Sequence, residues 1–102
     1  MILTDTTDFR RTFKMMSFAK NLETLGFSVM TGEVSVFDTG CFIAQIHDEY
    51  SNTLGVYWAE VDGVVTARVD KINGTHKWYY EKSGAQMMRV IRQCMEGHKF
   101  VA

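Results

Sequence analysis

The sequence predicts an α+β fold: an N-terminal helix, a five-stranded antiparallel meander and a C-terminal helix in one domain, residues 1–102. Apolar residues with helical spacing occur near both ends, and the stretch between them alternates apolar and polar residues. Within that stretch, Asp62-Gly63 and Asn73-Gly74 separate extended runs, and such pairs favour tight β-hairpin loops. We expect both helices to pack on one face of the sheet.

The length and charge of the chain disfavour several classes of protein. A chain of 102 residues is long enough for one hydrophobic core. The formal net charge of -1 gives no general attraction to phosphate backbones, so nucleic acid is disfavoured as a partner. No apolar run approaches the roughly 18 residues of a membrane span, and residues 1–5 do not resemble a signal peptide. We therefore expect a cytoplasmic protein that makes no membrane contact.

The first helix is predicted to follow the capping residues Thr6, Thr7 and Asp8 and to end at Leu25, before Gly26. Its apolar residues form two stripes on nearly opposite sides. One stripe is suited to cover the sheet, and the other predicts either a contact with a terminal segment of the chain or a protein-binding surface. The first stripe is Met15, Phe18, Leu22 and Leu25, and the second is Phe9, Phe13 and Met16.

The next two strands are predicted over residues 27–37, with a bulge or bend at Gly32, and over residues 41–48. After a polar loop, a two-residue turn at Asp62-Gly63 would place Tyr57 opposite Arg68. A two-residue turn at Asn73-Gly74 would place Arg68 opposite Tyr79. The core face would then hold Leu54, Val56, Trp58, Val65, Ala67, Val69, Trp78 and Tyr80. In the second strand, Phe42, Ala44 and Ile46 share one face.

Tyr57, Arg68 and Tyr79 are thus predicted to form one row across three strands on the face away from the core. A guanidinium group between two phenol rings can stack on both. Such a row either stabilises an exposed sheet face or forms a recognition surface.

The second helix is predicted from a capping box, in which Ser83 is followed three residues later by Gln86. It should continue to about Glu96 and end at Gly97. Its apolar face consists of Met87, Met88, Val90, Ile91, Cys94 and Met95.

Residues 34–40 end in Asp38-Thr39-Gly40, which resembles the active-site triplet of retroviral-type aspartic proteases. The resemblance implies an all-β dimer in which each chain contributes Asp38 and the two carboxylates share a proton. It covers only this segment, since the chain has neither a glycine-rich flap hairpin nor the apolar-apolar-Gly segment of that family. The triplet is equally typical of a three-residue hairpin loop.

Other residues with reactive side chains lack the spacing of known sites. His47, Asp48 and Glu49 are adjacent, whereas metal sites need ligands whose spacing lets them converge. Cys41 and Cys94 belong to no C-x-x-C pair and are expected to be reduced and to pack as small apolar residues. We therefore expect no metal and no cofactor, and the sequence favours a protein that is not an enzyme.

The favoured function is a small protein-binding module that inhibits or modulates a larger protein or complex. Tyrosine, arginine and apolar residues of the kind found in interface cores occur in two groups. Bacteriophage or viral accessory proteins that block a host system often have this size and few motifs. The predicted partner-binding residues are Tyr57, Arg68, Tyr79, Phe9, Phe13 and Met16.

Two alternatives remain. In the first, Tyr57, Arg68 and Tyr79 stack on single-stranded nucleic acid, and Arg10, Arg11 and Lys14 bind phosphates. In the second, the chain is the dimeric protease that the Asp38 triplet implies. Pairing of the first strand or the first helix with a second copy would also allow a homodimer.

Overall fold

The computed structural model describes residues 13–35, 37, 40–61 and 64–101. Within these residues the first five strands form an antiparallel meander in the order β1-β2-β3-β4-β5, and a sixth strand pairs with β2. The predicted α+β fold is confirmed, with one strand more than expected. The elements are α1 (Phe13–Thr24), β1 (Ser28–Glu33), β2 (Gly40–Asp48), β3 (Thr53–Val61), β4 (Val64–Asp70), β5 (His76–Tyr80), α2 (Gly84–Met95) and β6 (Phe100–Val101).

Both helices pack on one face of the sheet, here called the helix side, around Trp58. The Trp58 side chain is 1% exposed, with the Phe18 ring edge-on at 4.9 Å and the Phe42 ring stacked at 5.1 Å. Its indole N–H donates a hydrogen bond to the Met15 carbonyl at 3.4 Å. Met15, Phe18 and Leu22 of the first predicted stripe of α1 are buried, which confirms that this stripe covers the sheet. On α2, Met87, Met88 and Ile91 of the predicted apolar face are buried, and Ala19 is buried on α1 as well.

The ends of the helices follow the predicted capping signals. Gly26 has φ +100°, and the Phe27 N–H donates to the Leu22 carbonyl at 3.1 Å, which closes α1. Ser83 and Gln86 form the reciprocal capping box at the start of α2. The predicted start of α1 at Thr6, Thr7 and Asp8 lies outside the described residues. None of the described helices is long and apolar enough to cross a membrane.

The predicted first strand is too long, and the predicted bulge in it is wrong. Strand β1 ends at Glu33, after which the Phe37 N–H donates to the Val34 carbonyl and closes a turn. Gly32 lies opposite Cys41 in an uninterrupted register. The predicted strand does not reach Phe37, because the chain turns after Glu33 and packs Val34 and Phe37 against the face of the sheet.

The register of β3 and β4 is confirmed. Tyr57 lies opposite Arg68, and the pairing continues to Val61 opposite Val64, which leaves two residues for the connection. Those two, Asp62 and Gly63, lie outside the described residues.

The predicted register of β4 and β5 is wrong by one residue. Arg68 lies opposite Trp78, and Ala67 lies opposite Tyr79. Because side chains alternate between faces, this shift moves Trp78 and Tyr80 away from the core and brings Tyr79 to the helix side. The predicted row of Tyr57, Arg68 and Tyr79 therefore does not form.

The shift arises in the loop between the two strands. The Lys71 N–H donates to the Thr75 carbonyl at 2.7 Å, so three residues, 72–74, form the loop. The Gly74 N–H donates to the Lys71 carbonyl at 3.0 Å, and Gly74 has φ +89°. The Asn73 side chain accepts hydrogen bonds from the N–H and hydroxyl groups of Thr75. This is the three-residue hairpin in which glycine takes the left-handed position, not the two-residue turn.

Strand β6 was missed by the sequence analysis. Its two residues pair with His47 and Asp48, the part of β2 that lies beyond the pairing with β1. A strand of two residues is too short to show a period in the sequence.

Gly74→Ala should lower the free energy of unfolding by about 1 kcal/mol, because alanine is strained at positive φ. Gly84→Ala is the matched control, since Gly84 begins α2 and no atom lies within 4 Å of an added Cβ at either position. The control should leave the stability unchanged or raise it. Urea unfolding of both variants measures the difference, and equal stability would contradict the left-handed loop.

Candidate functional site

Four residues form a row across four neighbouring strands on the outer face, the sheet face opposite the helices. Ile43 lies opposite Tyr57, Tyr57 opposite Arg68, and Arg68 opposite Trp78. This set is called the outer-face row. It differs from the predicted row in its last member, which is an indole and not a phenol.

The guanidinium group of Arg68 is held by two neighbours. Its Nε donates to Asp70 Oδ1 at 2.6 Å, and its Cζ lies 5.8 Å from the centre of the Trp78 ring. Asp70 is two residues from Arg68 on the same strand and shares its face. The Arg68 side chain is 22% exposed, so this charge is held in place while part of it remains accessible to solvent.

Tyr57 is oriented along its own strand. A Cβ atom at Gly55 would lie 3.2 Å from both the ring edge and the hydroxyl oxygen of Tyr57, so the ring occupies the space that the glycine leaves. The Tyr57 hydroxyl accepts a hydrogen bond from Gln45 Nε2 at 3.5 Å. The predicted stacking of Arg68 between two phenol rings is therefore replaced by contacts with Asp70 and Trp78.

Part of the outer face is covered by the turn that follows β1. Cys41, Ile43 and Ala59 form a small buried cluster there, against which Val34 and Phe37 pack. The Phe37 ring meets the Trp78 ring edge-on at 5.7 Å. The cover is incomplete, since Trp78 is half-buried and Tyr80 is 60% exposed. This cover is not predicted by the sequence, because residues 34–37 read as a continuation of the first strand.

The other predicted site residues are dispersed. Met16 is 48% exposed on α1, Phe9 lies outside the described residues, and only the backbone of Phe13 is described. Tyr79 is half-buried on the helix side, where the Lys77 ammonium lies 5.4 Å from the centre of its ring. Burial raises the pKa of the Tyr79 phenol. The structure thus brings Tyr57 and Arg68 together but not Tyr79.

A groove lies between strand β5 and helix α2, and no pattern in the sequence predicts it. This groove, of about 520 Å³, is called the edge groove. Its described lining includes the cations Lys77, Lys82 and Arg89 and the aromatic residue Tyr79. These residues are separated in sequence by a capping turn and converge only when α2 folds back along β5.

The adjacent residues His47, Asp48 and Glu49 do not converge on one point. His47 Nδ1 lies 2.8 Å from Thr53 Oγ1 in a hydrogen bond on the outer face. Asp48 is 3% exposed, and its Oδ1 accepts hydrogen bonds from the backbone N–H groups of Tyr50 and Asn52. Among the described residues, no group of three or more His, Cys, Asp or Glu side chains is placed to hold a metal ion.

The Asp48 carboxyl is stabilised in its charged form. Burial by itself would raise its pKa, but the hydrogen bonds from Asn52 and Tyr50 and the nearby His98 lower the pKa below its usual value. His98 Nδ1 lies 3.8 Å from Asp48 Oδ2. The interactions are those of a turn-forming carboxylate, which supports the β2–β3 connection.

Neither cysteine is activated as a nucleophile. Burial raises the pKa of the Cys41 thiol to about 12. Burial also raises the pKa of Cys94, although Lys71 opposes the effect. Both thiols are free, and both are protonated at neutral pH.

The Asp38 triplet is not accompanied by the fold that the protease resemblance implies. Asp38 and Thr39 lie outside the described residues, and Gly40 is the first residue of β2. Two helices contribute to the core, in contrast to an all-β protomer.

Comparison of the chain with protein-family models, curated proteins and solved structures gives no match. Function is therefore inferred from the surfaces of the molecule itself.

Trp78 fluorescence should be quenched by acrylamide, whereas Trp58 fluorescence should resist quenching. The reason is that Trp58 is buried and Trp78 is half-buried on the outer face. Trp58→Phe isolates the Trp78 emission, and Trp78→Phe isolates that of Trp58. A higher quenching constant for Trp58 than for Trp78 would contradict the observed register of β5.

Asp48→Asn should reduce the loss of stability in acid. The pKa of Asp48 is lowered in the fold, so the carboxylate stabilises the fold above its unfolded pKa of about 3.9. This contribution is lost as the pH falls through the folded pKa. Urea unfolding of the wild type between about pH 2 and pH 6 should therefore depend more steeply on pH than that of Asp48→Asn. The exposed neighbour variant Glu49→Gln is the control, and a wild-type slope in Asp48→Asn would disprove the assignment.

Proposed function

We propose that the chain is a small protein-binding module that inhibits or modulates a larger protein or complex and does not itself catalyse a reaction. The observation that supports this function is the outer-face row, in which Arg68 is held between Asp70 and Trp78. Arginine, tyrosine and tryptophan are the residues most often found at the energetic centres of protein interfaces.

The geometry of the row lowers the cost of binding. An arginine side chain that is already ordered loses less conformational entropy when it meets a partner than a free one does. The exposed Tyr80 ring, two residues from Trp78 on β5, continues this surface along the edge of the sheet. The half-buried Tyr57 ring continues it toward the centre.

The proposal extends to the setting of the protein. A bacteriophage or viral accessory protein that blocks a host system acts by occupying a surface, which requires no catalytic group. The free thiols of Cys41 and Cys94 fit a reducing compartment, and we place the protein in the cytoplasm.

The nucleic-acid alternative keeps an aromatic ring beside Arg68, but that ring is Trp78 and not the predicted Tyr79. Tyr79 lies on the other face of the sheet. Arg10 and Arg11, which were expected to bind phosphates, lie outside the described residues.

Affinity capture with the immobilised chain tests the proposal. Arg68→Ala and Tyr80→Ala should each reduce recovery of a partner at least about tenfold, the usual effect of removing a central interface residue. Glu23→Ala, on the exposed side of α1, is the control and should recover the partner as the wild type does. The purified partner should then change in activity when the wild-type chain is added.

The outcome also locates the interface. Equal recovery by Arg68→Ala, Tyr80→Ala and the wild type would rule out the outer-face row as the binding surface. Loss of the partner in Met16→Asp alone would place the interface on α1, as the second stripe of that helix predicts.

A further inference from the structure

Strand β5 is the last strand of the described sheet on its side. The Lys71 N–H bonds to the Thr75 carbonyl at one end of the β4–β5 ladder, and the Glu81 N–H bonds to the Val65 carbonyl at the other. Hydrogen-bonded pairs alternate with non-bonded pairs in an antiparallel ladder. The backbone N–H and C=O groups of His76, Trp78 and Tyr80 therefore point away from β4, toward the open edge.

The two sides of this edge differ in chemistry. On the helix side, Lys77, Lys82 and Arg89 line the edge groove, and its described lining includes no carboxylate. The whole chain has a formal net charge of -1, so this concentration of positive charge is local. On the outer face, the rings of Trp78 and Tyr80 flank the same edge.

We propose that β5 binds an extended acidic segment of a partner protein, which adds to the sheet as a further strand. Side chains of an added strand alternate between the two faces. Every second residue of the segment would be acidic and face Lys77, Lys82 and Arg89. The residues between them would be apolar and face Trp78 and Tyr80. This inference rests on the proposed function and specifies the chemistry of the partner.

The edge favours a peptide over a nucleic acid. His76, Trp78 and Tyr80 offer carbonyl acceptors as well as N–H donors, and a peptide backbone satisfies both. A phosphodiester backbone has no donor for the carbonyls. A second copy of the chain is disfavoured because it would bring the cations of two edge grooves together.

The same cations explain how the open edge avoids unspecific pairing. Lysine on an edge strand discourages neutral strands from adding to it, since its charge would be desolvated without a counter-charge. An acidic strand supplies that counter-charge, so the edge groove favours acidic strands over neutral ones.

Fluorescence anisotropy with a labelled peptide of alternating valine and glutamate tests this inference on the full chain. A scrambled peptide of the same composition keeps the charge and loses the alternation. The alternating peptide methylated at every second backbone nitrogen keeps its side chains and loses the N–H donors of those residues. We expect both controls to bind at least about tenfold more weakly than the alternating peptide.

Two comparisons of variants distinguish the contribution of backbone hydrogen bonds to peptide binding from the contribution of the groove cations. His76→Pro removes an outward N–H at the first residue of β5, where proline is tolerated, and His76→Ala keeps that N–H. The proline variant should bind the alternating peptide about fivefold more weakly than the alanine variant, the effect of one hydrogen bond. Lys82→Glu with Arg89→Glu should weaken binding at least about tenfold, whereas Lys20→Glu, exposed on α1, should not.

Equal binding of the alternating, scrambled and methylated peptides would overturn strand addition. So would an absence of binding to the wild type, or tighter binding of oligothymidylate than of the alternating peptide. In each of these cases, loss of the captured partner in Arg68→Ala would leave the proposed function intact. Unchanged capture in all outer-face variants would instead remove the outer-face row as the binding surface, and failure of the wild type to capture any partner would remove the proposed function.

Discussion

The length of one loop determines on which face of the sheet each aromatic side chain of β5 lies. The bond from the Lys71 N–H to the Thr75 carbonyl encloses a loop of three residues, and Gly74 takes the left-handed conformation within it. With one residue fewer, Trp78 would enter the core and Tyr79 would lie beside Arg68. The outer-face row and the edge groove both depend on this register.

The two candidate surfaces are continuous through β5. Trp78 completes the outer-face row on one side of the strand, and Lys77 with Tyr79 lines the edge groove on the other. The outward backbone groups of β5 lie between them. A partner that meets Arg68 and Trp78 can therefore also reach the strand edge, so one extended segment and one face contact can belong to the same interface.

Much of the fold could be predicted because several signals agreed. Alternation of Val56, Trp58, Ala67 and Val69 with polar residues fixes the β3–β4 register, since a slip would bury Arg68. The β5 register is not fixed in this way, because Trp78, Tyr79 and Tyr80 are all suited to a half-buried position. Asn73-Gly74 fits both two-residue and three-residue loops. Of the candidate site, Tyr57 and Arg68 were predicted together, whereas the cover by Phe37 and the edge groove depend on contacts between distant elements.

Strand β6 bears on the order in which the molecule assembles. Consecutive strands from β1 to β5 pair as neighbours in sequence, so the meander can form hairpin by hairpin as the chain leaves the ribosome. The last part of β2 cannot complete its pairing until residues 100–101 have been synthesised. The Lys99 carbonyl, which accepts from the Glu49 N–H, arrives equally late. Until then the end of β2 is paired with β3 alone, and one of its two edges lacks the backbone partners that the finished fold supplies.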